Sequence, residues 1–156
     1  MEQELREGAS LFPEYYERSL GLPRGRDGDC PSLVLAYLGD GLYDLFVRDY
    51  VIFHYPGNIK RMNEKKKRLV CASAQSEIMG YLIGRRGLTE REMAVYRRAR
   101  NHRSESRSKN STILDYRRAT GFEALLGDLY LRREGERLME LVSLGIRHLE
   151  GELHEG

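Results

Sequence analysis

Two carboxylic acids lie in apolar stretches of the sequence. Such stretches do not have the polar pattern of a solvated helix face. Asp40 lies within Leu-Gly-Asp-Gly (38–41), and Glu123 lies within Gly-Phe-Glu-Ala-Leu-Leu-Gly (121–127). The residues at helical spacing from each acid are mostly apolar or small, and carboxylates are rarely buried without a partner. Both acids are therefore candidates for a chemical role.

Glycines flank both acids inside segments with a helical pattern. They are Gly39 and Gly41 at the first acid, and Gly121 and Gly127 at the second. A glycine inside a helix costs about 1 kcal/mol relative to alanine, but it lets two backbones approach closely. If the two helices cross at these points, Asp40 and Glu123 face one another.

Two carboxylates at such short range are tolerated only with a bound cation or a shared proton. Oxygen-only ligands favour a hard ion such as Mg²⁺, which keeps waters and phosphate oxygens among its ligands. The pattern therefore predicts a phosphodiesterase-like site, with Asp40 and Glu123 as metal ligands and catalytic residues. The alternative is a solvated acid, or one paired with an arginine such as Arg117 or Arg118, which precede Glu123.

The elements that must position these acids are all predicted to be helices. Apolar residues recur at helical spacing from Ser32 to about His54, where Tyr-Pro-Gly (55–57) ends the pattern. Asn58 has the residue type of a helix N-cap, and Thr89 and Glu92 have the spacing of a capping box. Further helices are predicted over 59–84, 90–100 and 112–133, and from Gly135 onward. We expect an all-α fold.

The predicted organisation is one domain with short flanking segments. Residues 1–30 combine aromatic and charged residues with a Gly/Pro-rich stretch, and we expect an amino-terminal arm and loop there. Residues 31–152 form the predicted domain, and 153–156 a tail. The Ser/Arg/Asn-rich segment 101–110 is predicted to be an exposed, mobile loop.

Composition excludes several classes of protein. The chain begins without the basic and apolar regions of a secretory signal, and no apolar run approaches the ~20 residues needed to cross a bilayer. We expect a cytoplasmic protein with no membrane contact. Cys30 and Cys71 are solitary, which predicts two buried thiols rather than a disulfide or zinc site. The histidines show no spacing typical of a hydrolase triad.

Basic residues are concentrated in two stretches. Lys60–Arg68 carries six Lys/Arg against one Glu, and Arg97–Lys109 carries six against one Glu as well. With a formal net charge of only +2 for the whole chain, the rest of the sequence is acidic. Two focused basic patches on an acidic body predict a surface that meets a polyanion, although two solvated helix faces would show the same composition.

The acid-bearing segments resemble the signature helices of the ribonuclease III domain family. That family carries an acid in Leu-Gly-Asp, here 38–40, and a glutamate in Phe-Glu-Ala-Leu-(Leu/Ile)-Gly, here 122–127. Full-length members have further acids one turn before each, where this sequence has Ala36 and Thr120. The sequence is similar to the Mini-III branch, which lacks a double-stranded-RNA-binding domain and has an Arg-x-Arg-Asn run, here 98–101.

The resemblance implies the ribonuclease III endonuclease-domain fold and a homodimer, with the signature helices packed about a two-fold axis. It also implies a basic valley that holds an RNA duplex, and cleavage to 5′-phosphate and 3′-hydroxyl ends. The implied substrate is 23S ribosomal RNA precursor. The alternative is a non-catalytic dimeric protein that binds double-stranded RNA or assists ribosome assembly.

The same resemblance assigns roles to residues around the acids. Mg²⁺ is the expected ion and Mn²⁺ a substitute. Asp44 and Thr120 could orient the metal ligands, although Asp44 fits a solvated helix position equally well. The expected RNA-binding residues are Lys60, Arg61, Lys65, Lys67, Arg100, Arg103, Arg107 and Lys109.

Overall fold

A computed structural model describes residues 13–22, 30–102 and 112–152. These residues contain helices and connecting turns but no β-strand, so the all-α prediction is confirmed. The helices are α1 (Pro13–Leu20), α2 (Ser32–His54), α3 (Ile59–Val70), α4 (Ala72–Gly84), α5 (Glu90–Arg100), α6 (Ile113–Leu131) and α7 (Gly135–Leu149). None of the described helices is long and apolar enough to span a bilayer.

Helix α6 is the central element, and it contacts α2, α4, α5 and α7. Its second half is buried on all sides, from Gly121 to Leu129 apart from the half-buried Glu123. Helix α2 packs along it, and the ring of Tyr43 meets that of Phe122 edge to face at 5.2 Å. The two acid-bearing helices are therefore direct neighbours in the core.

Side chains cap the starts of α3 and α5 at the positions predicted from the sequence. Asn58 accepts a hydrogen bond from the Arg61 backbone N–H at 2.9 Å. Thr89 and Glu92 form the complete capping box at the start of α5. These local contacts confirm the predicted starts of α3 and α5.

The predicted helical region over 59–84 consists of two helices, because the chain breaks at Cys71. Cys71 has extended backbone angles (φ −64°, ψ 160°) and separates α3 from α4. The break frees backbone carbonyls that find other donors: the Tyr43 hydroxyl donates to the Leu69 carbonyl at 2.8 Å, and Gln75 Nε2 donates to the Val70 carbonyl at 2.9 Å. Tertiary hydrogen bonds thus compensate for the interrupted helix.

The break also exposes a thiol that was predicted to be buried. Cys71 lies at the surface, and Cys30 is half-buried; both are free. The prediction of two buried thiols is therefore wrong.

Part of the predicted arm is helical. Helix α1 packs on the carboxyl end of α6, where the rings of Tyr16 and Tyr130 stack with centroids 6.5 Å apart. Arg133 Nη2 lies 2.7 Å from the Glu17 carboxylate. These two contacts fix α1 against the domain, which the loop-like composition of residues 1–30 did not indicate.

Candidate active site

Helices α2 and α6 touch backbone to backbone at two glycines. A Cβ atom on Gly39 would overlap the carbonyl group of Glu123, and a Cβ on Gly127 would overlap that of Leu35. No other residue type fits at either position without moving a helix. The prediction that glycine lets these helices meet is confirmed for Gly39 and Gly127.

The other two glycines, Gly41 and Gly121, do not mediate the close contact between α2 and α6 that was predicted for them. Gly41 is exposed, and a Cβ there would meet nothing within 4 Å. Gly121 faces α5, where a Cβ would lie 2.5 Å from the ring of Tyr96. Gly121 therefore accommodates an aromatic ring on the other side of α6.

The crossing brings the side chains of Asp40 and Glu123 together. Glu123 is half-buried and Asp40 is exposed. Burial raises the pKa of Glu123 from 4.5 to about 9, and a side-chain hydrogen bond with Asp40 and the charge of Asp40 also raise it. At neutral pH without a cation, Glu123 is therefore protonated beside Asp40. The predicted face-to-face pair is present.

The pair fits a divalent cation through the chemistry of its donors. Both side chains offer only oxygen donors, which hard divalent ions prefer, and a ligand carboxyl must lose its proton to bind one. In the described residues, no group of three or more Asp, Glu, His or Cys side chains could hold a metal. Asp40 and Glu123 would thus supply two ligand groups, and waters and substrate oxygens would supply the rest.

Asp44 and Thr120 have other partners. Asp44 accepts a hydrogen bond from Arg48 Nε at 2.5 Å and lies 2.8 Å from Lys66 Nζ. Partial burial opposes ionisation of Asp44, but the bonds from Lys66 and Arg48 outweigh it and lower its pKa. The Thr120 hydroxyl donates to the Tyr116 carbonyl at 3.0 Å. A role for either residue in orienting the metal ligands stays a prediction.

Comparison with known proteins places this geometry in a family. The family model described as the ribonuclease III domain matches residues 33–134, which include both acids. The chain belongs to the ribonuclease III domain family. It is 42% identical over 123 residues to the Mini-ribonuclease 3 of Clostridium tetani, which covers 76% of this chain and 78% of that protein. It is 37% identical to the Mini-ribonuclease 3 of Enterococcus faecalis, over 80% of this chain and 93% of that one.

A solved structure supports the same assignment of fold. The crystal structure of a protein from Fusobacterium nucleatum superimposes with a TM-score of 0.69 at 32% identity, and the match covers 80% of this chain and 96% of that one. The predicted ribonuclease III fold is confirmed. Helix α1 lies before the segment that matches the ribonuclease III domain model, and α7 lies after it.

The first basic stretch of this ribonuclease III domain divides into exposed and paired cations. Lys60, Arg61 and Lys67 are exposed on α3. Lys65 instead lies 3.0 Å from the Glu150 carboxylate, and its ammonium lies 4.4 Å from the ring centroid of Tyr55. Of the four cations expected on this helix, Lys65 is the one that pairs with an acid among the residues that the structure describes.

The second basic stretch is described only in part. The Arg100 guanidinium lies over the Tyr96 ring at 5.4 Å, and its Nε donates to Asn101 Oδ1 at 3.2 Å. These contacts hold Arg100 at the end of α5. Arg103, Arg107 and Lys109 lie outside the described residues.

Sequence reasoning missed Lys66. It faces α2, where it pairs with Asp44, one turn beyond Asp40. Helical phase could have identified it, because Lys66 follows Met62 by four residues and precedes the buried Leu69 by three. The ribonuclease III domain therefore has a lysine on the inner face of its basic helix.

Proposed function

We propose that this chain is a divalent-metal-dependent endoribonuclease that cleaves double-stranded RNA. One observation carries the proposal: at the glycine-mediated crossing of α2 and α6, inside a ribonuclease III domain, an exposed carboxylate and a protonated, half-buried carboxyl meet. The relatives named Mini-ribonuclease 3 agree with this activity. Mg²⁺ is the proposed ion, and Mn²⁺ the substitute.

Each acid has a distinct part in the reaction. Asp40, at the surface, is accessible to a phosphodiester group, while Glu123 holds its proton until a cation takes its place. Asp40 and Glu123 would hold a divalent ion, which would supply an activated water and offset the charge that develops on the phosphate. The water oxygen bonds to phosphorus as the bond to the 3′ oxygen breaks; the water gives up a proton to solvent and the departing 3′ oxygen takes one up, which leaves 5′-phosphate and 3′-hydroxyl ends. The Gly39 contact holds the two acid-bearing helices close together beside the carboxyl groups.

The proposed phosphate contacts are the exposed Lys60, Arg61 and Lys67, together with the half-buried Arg100. A-form RNA is recognised mainly through phosphates, 2′-hydroxyls and overall shape, so cations at the surface suffice to position a duplex. The proposed substrate is 23S ribosomal RNA precursor, and activity on it places the enzyme in the cytoplasm. Lys65, which Glu150 neutralises, contributes less to binding than its neighbours.

A homodimer is the proposed assembly, and the outer face of α2 supports it. Large apolar side chains at helical spacing are exposed on that face: Val34, Tyr37, Leu45 and Ile52. Gly41 lies at the middle of this α2 stripe and has free space where a Cβ would be. Two copies of α2 crossing at Gly41 would approach closely and cover apolar surface that water now contacts.

The test is a cleavage assay on a defined RNA duplex with Mg²⁺, with Mn²⁺ and with a chelator. Asp40→Asn and Glu123→Gln are expected to bind the duplex but to lose cleavage, on the order of 10²-fold or more. Asp49→Asn is the matched control, since Asp49 is an exposed acid on the same helix. Wild-type turnover by either acid variant, or cleavage in chelator, contradicts the assignment. Binding without cleavage by the unaltered chain would favour the non-catalytic alternative.

A further inference from the structure

A surface cavity of about 120 Å³ lies between α2, α5 and α6, and one of the residues that line it, Arg98, belongs to the second basic stretch. Leu35 and Val95 form its apolar floor. Three guanidinium groups line it, from Arg91, Arg98 and Arg132. Arginines from two different segments of the chain converge on a single small cavity.

A buried acid organises two of the three arginines. Asp128 is 8% exposed, and its carboxylate accepts hydrogen bonds from Arg91 Nη1 at 3.0 Å and Arg132 Nε at 3.1 Å. Arg91 also reaches Glu134 through Nη2 at 2.9 Å. Three guanidiniums against these two carboxylates leave one positive charge in excess at the cavity.

Donors remain after these pairs are made. Arg132 bonds Asp128 only through Nε, and the exposed Arg98 has neither an ion pair nor a hydrogen bond in the described part of the chain. Guanidinium groups present planar, paired donors that match the oxygens of a phosphate. Excess charge, free donors and a cavity of this size together match a phosphate group rather than a neutral ligand.

The cavity and the acid pair share the same two helices. Leu35 precedes Asp40 by five residues, and Asp128 follows Glu123 by five, so each is about 7.5 Å away along its helix axis. Gly127, whose missing side chain admits the Leu35 carbonyl, lies between the two sites. A ligand in the cavity would therefore be anchored to the elements that carry the acids.

The geometry points to a phosphate-binding site formed by Arg98 and Arg132 and organised by Asp128, which takes a backbone phosphate of the RNA duplex. The identity of the duplex as ligand rests on the proposed function; the affinity for a phosphate group does not. The site adds a contact to substrate binding and leaves the chemical step to Asp40 and Glu123.

The first experiment is a titration of the full chain with inorganic phosphate, followed through the Nε–Hε NMR signals of the arginines. The signals of Arg98 and Arg132 are expected to shift with saturation, and Arg98→Gln to abolish the saturation at Arg132. Arg97→Gln is the matched control, because Arg97 is an exposed neighbour that does not line the cavity. Shifts that fail to saturate, or that spread equally over all exposed arginines, overturn the site.

The second experiment measures duplex affinity against salt concentration. Arg98→Gln is expected to lower the slope of log K against log salt by about 1, as the loss of one phosphate contact requires. The turnover rate at saturating RNA should stay unchanged. An unaltered slope, or a lower turnover rate at saturation, overturns the proposal. If the wild-type chain binds phosphate and duplex but does not cleave, the proposed nuclease activity fails while this site stands.

Discussion

The backbone of Gly39 lies directly against the carbonyl group of Glu123, with no room for a methyl group between them. Together with the contact of Gly127 against the Leu35 carbonyl, it determines how closely the two acid-bearing helices approach. It also accounts for a helix-interior glycine whose presence costs about 1 kcal/mol relative to alanine. The candidate metal site therefore depends on the absence of a side chain one residue before Asp40.

Gly39→Ala is expected to separate α2 from α6 and to abolish cleavage. Forcing a methyl group into a packed interior costs about 1–3 kcal/mol, and each kcal/mol lowers the melting temperature by roughly 2–4 °C in a domain of this size. Thermal unfolding and the cleavage assay measure the two effects. Gly80→Ala is the control, since Gly80 is also interior to a helix and a Cβ there meets nothing within 4 Å. A Gly39→Ala variant with normal activity contradicts the close crossing.

Glu123→Gln is expected to stabilise the metal-free protein at alkaline pH. The pKa of Glu123 is about 9 in the folded chain against 4.5 ordinarily, so the folded state binds more protons between those values. Its contribution to stability is complete below pH 4.5 and is lost as the pH rises to 9. Glutamine is neutral throughout and avoids that loss.

The test is to measure melting temperatures in chelator at about pH 5 and at about pH 8.5. Most of the loss of stability falls between these two pH values. The advantage of Glu123→Gln should appear at the higher pH and shrink at the lower one. Glu64→Gln, at an exposed acid on α3, should behave like the wild type at both. Equal melting temperatures for all three proteins at the higher pH would show that Glu123 is not held protonated by its surroundings.

Binding of Mg²⁺ or Mn²⁺ is expected to release a proton from Glu123. Because a metal ligand must be ionised, the affinity should rise as the pH increases from neutrality toward about 9, the pKa of this group. Calorimetric titrations in two buffers of different ionisation enthalpy would count the proton released, about one per site near neutral pH. Binding that is independent of both pH and buffer argues against Glu123 as a ligand.

Gly41→Leu is expected to weaken the proposed dimer without destabilising the protomer. Free space surrounds the Cβ position in the isolated chain, so the side chain obstructs only a second copy of α2. Sedimentation velocity over a range of protein concentrations compares this variant with Gly80→Leu, a substitution at an equally open glycine on α4. If the wild type is a monomer, or if both variants dimerise with equal affinity, the α2 stripe is not the dimer interface.

Arg137→Met is expected to destabilise the fold through Glu92. That carboxylate is only 2% exposed, and Arg137 Nη2 lies 2.8 Å from it, joining the start of α5 to the start of α7. Breaking a buried pair by removing one partner costs about 3–5 kcal/mol because the other charge stays buried. Chemical denaturation measures the loss. Arg147→Met, at an exposed arginine of α7, should stay within about 0.5 kcal/mol of the wild type.

Much of this protein was predictable from short stretches of sequence. The Asn58 cap and the Thr89 capping box depend on hydrogen bonds within a few residues, so local residue types determine them. The bounds of α2 follow from the apolar periodicity that begins at Ser32 and the Tyr-Pro-Gly stretch (55–57) that ends it. The pairing of Asp40 with Glu123 was also predictable, because a glycine beside an acid in an apolar helix indicates close contact with a second helix.

Tertiary structure decided what local pattern could not. Helix α3 ends at Val70, and Tyr43, 26 residues before Leu69, supplies the Leu69 carbonyl with the hydrogen bond that the broken helix lacks. Lys65 is neutralised by Glu150, 85 residues away, whereas its neighbour Lys66 reaches Asp44. Gly39 and Gly41 are equivalent in sequence, but only one lies against α6. Helical periodicity specifies which residues share a face, while the packing of distant segments specifies what that face meets.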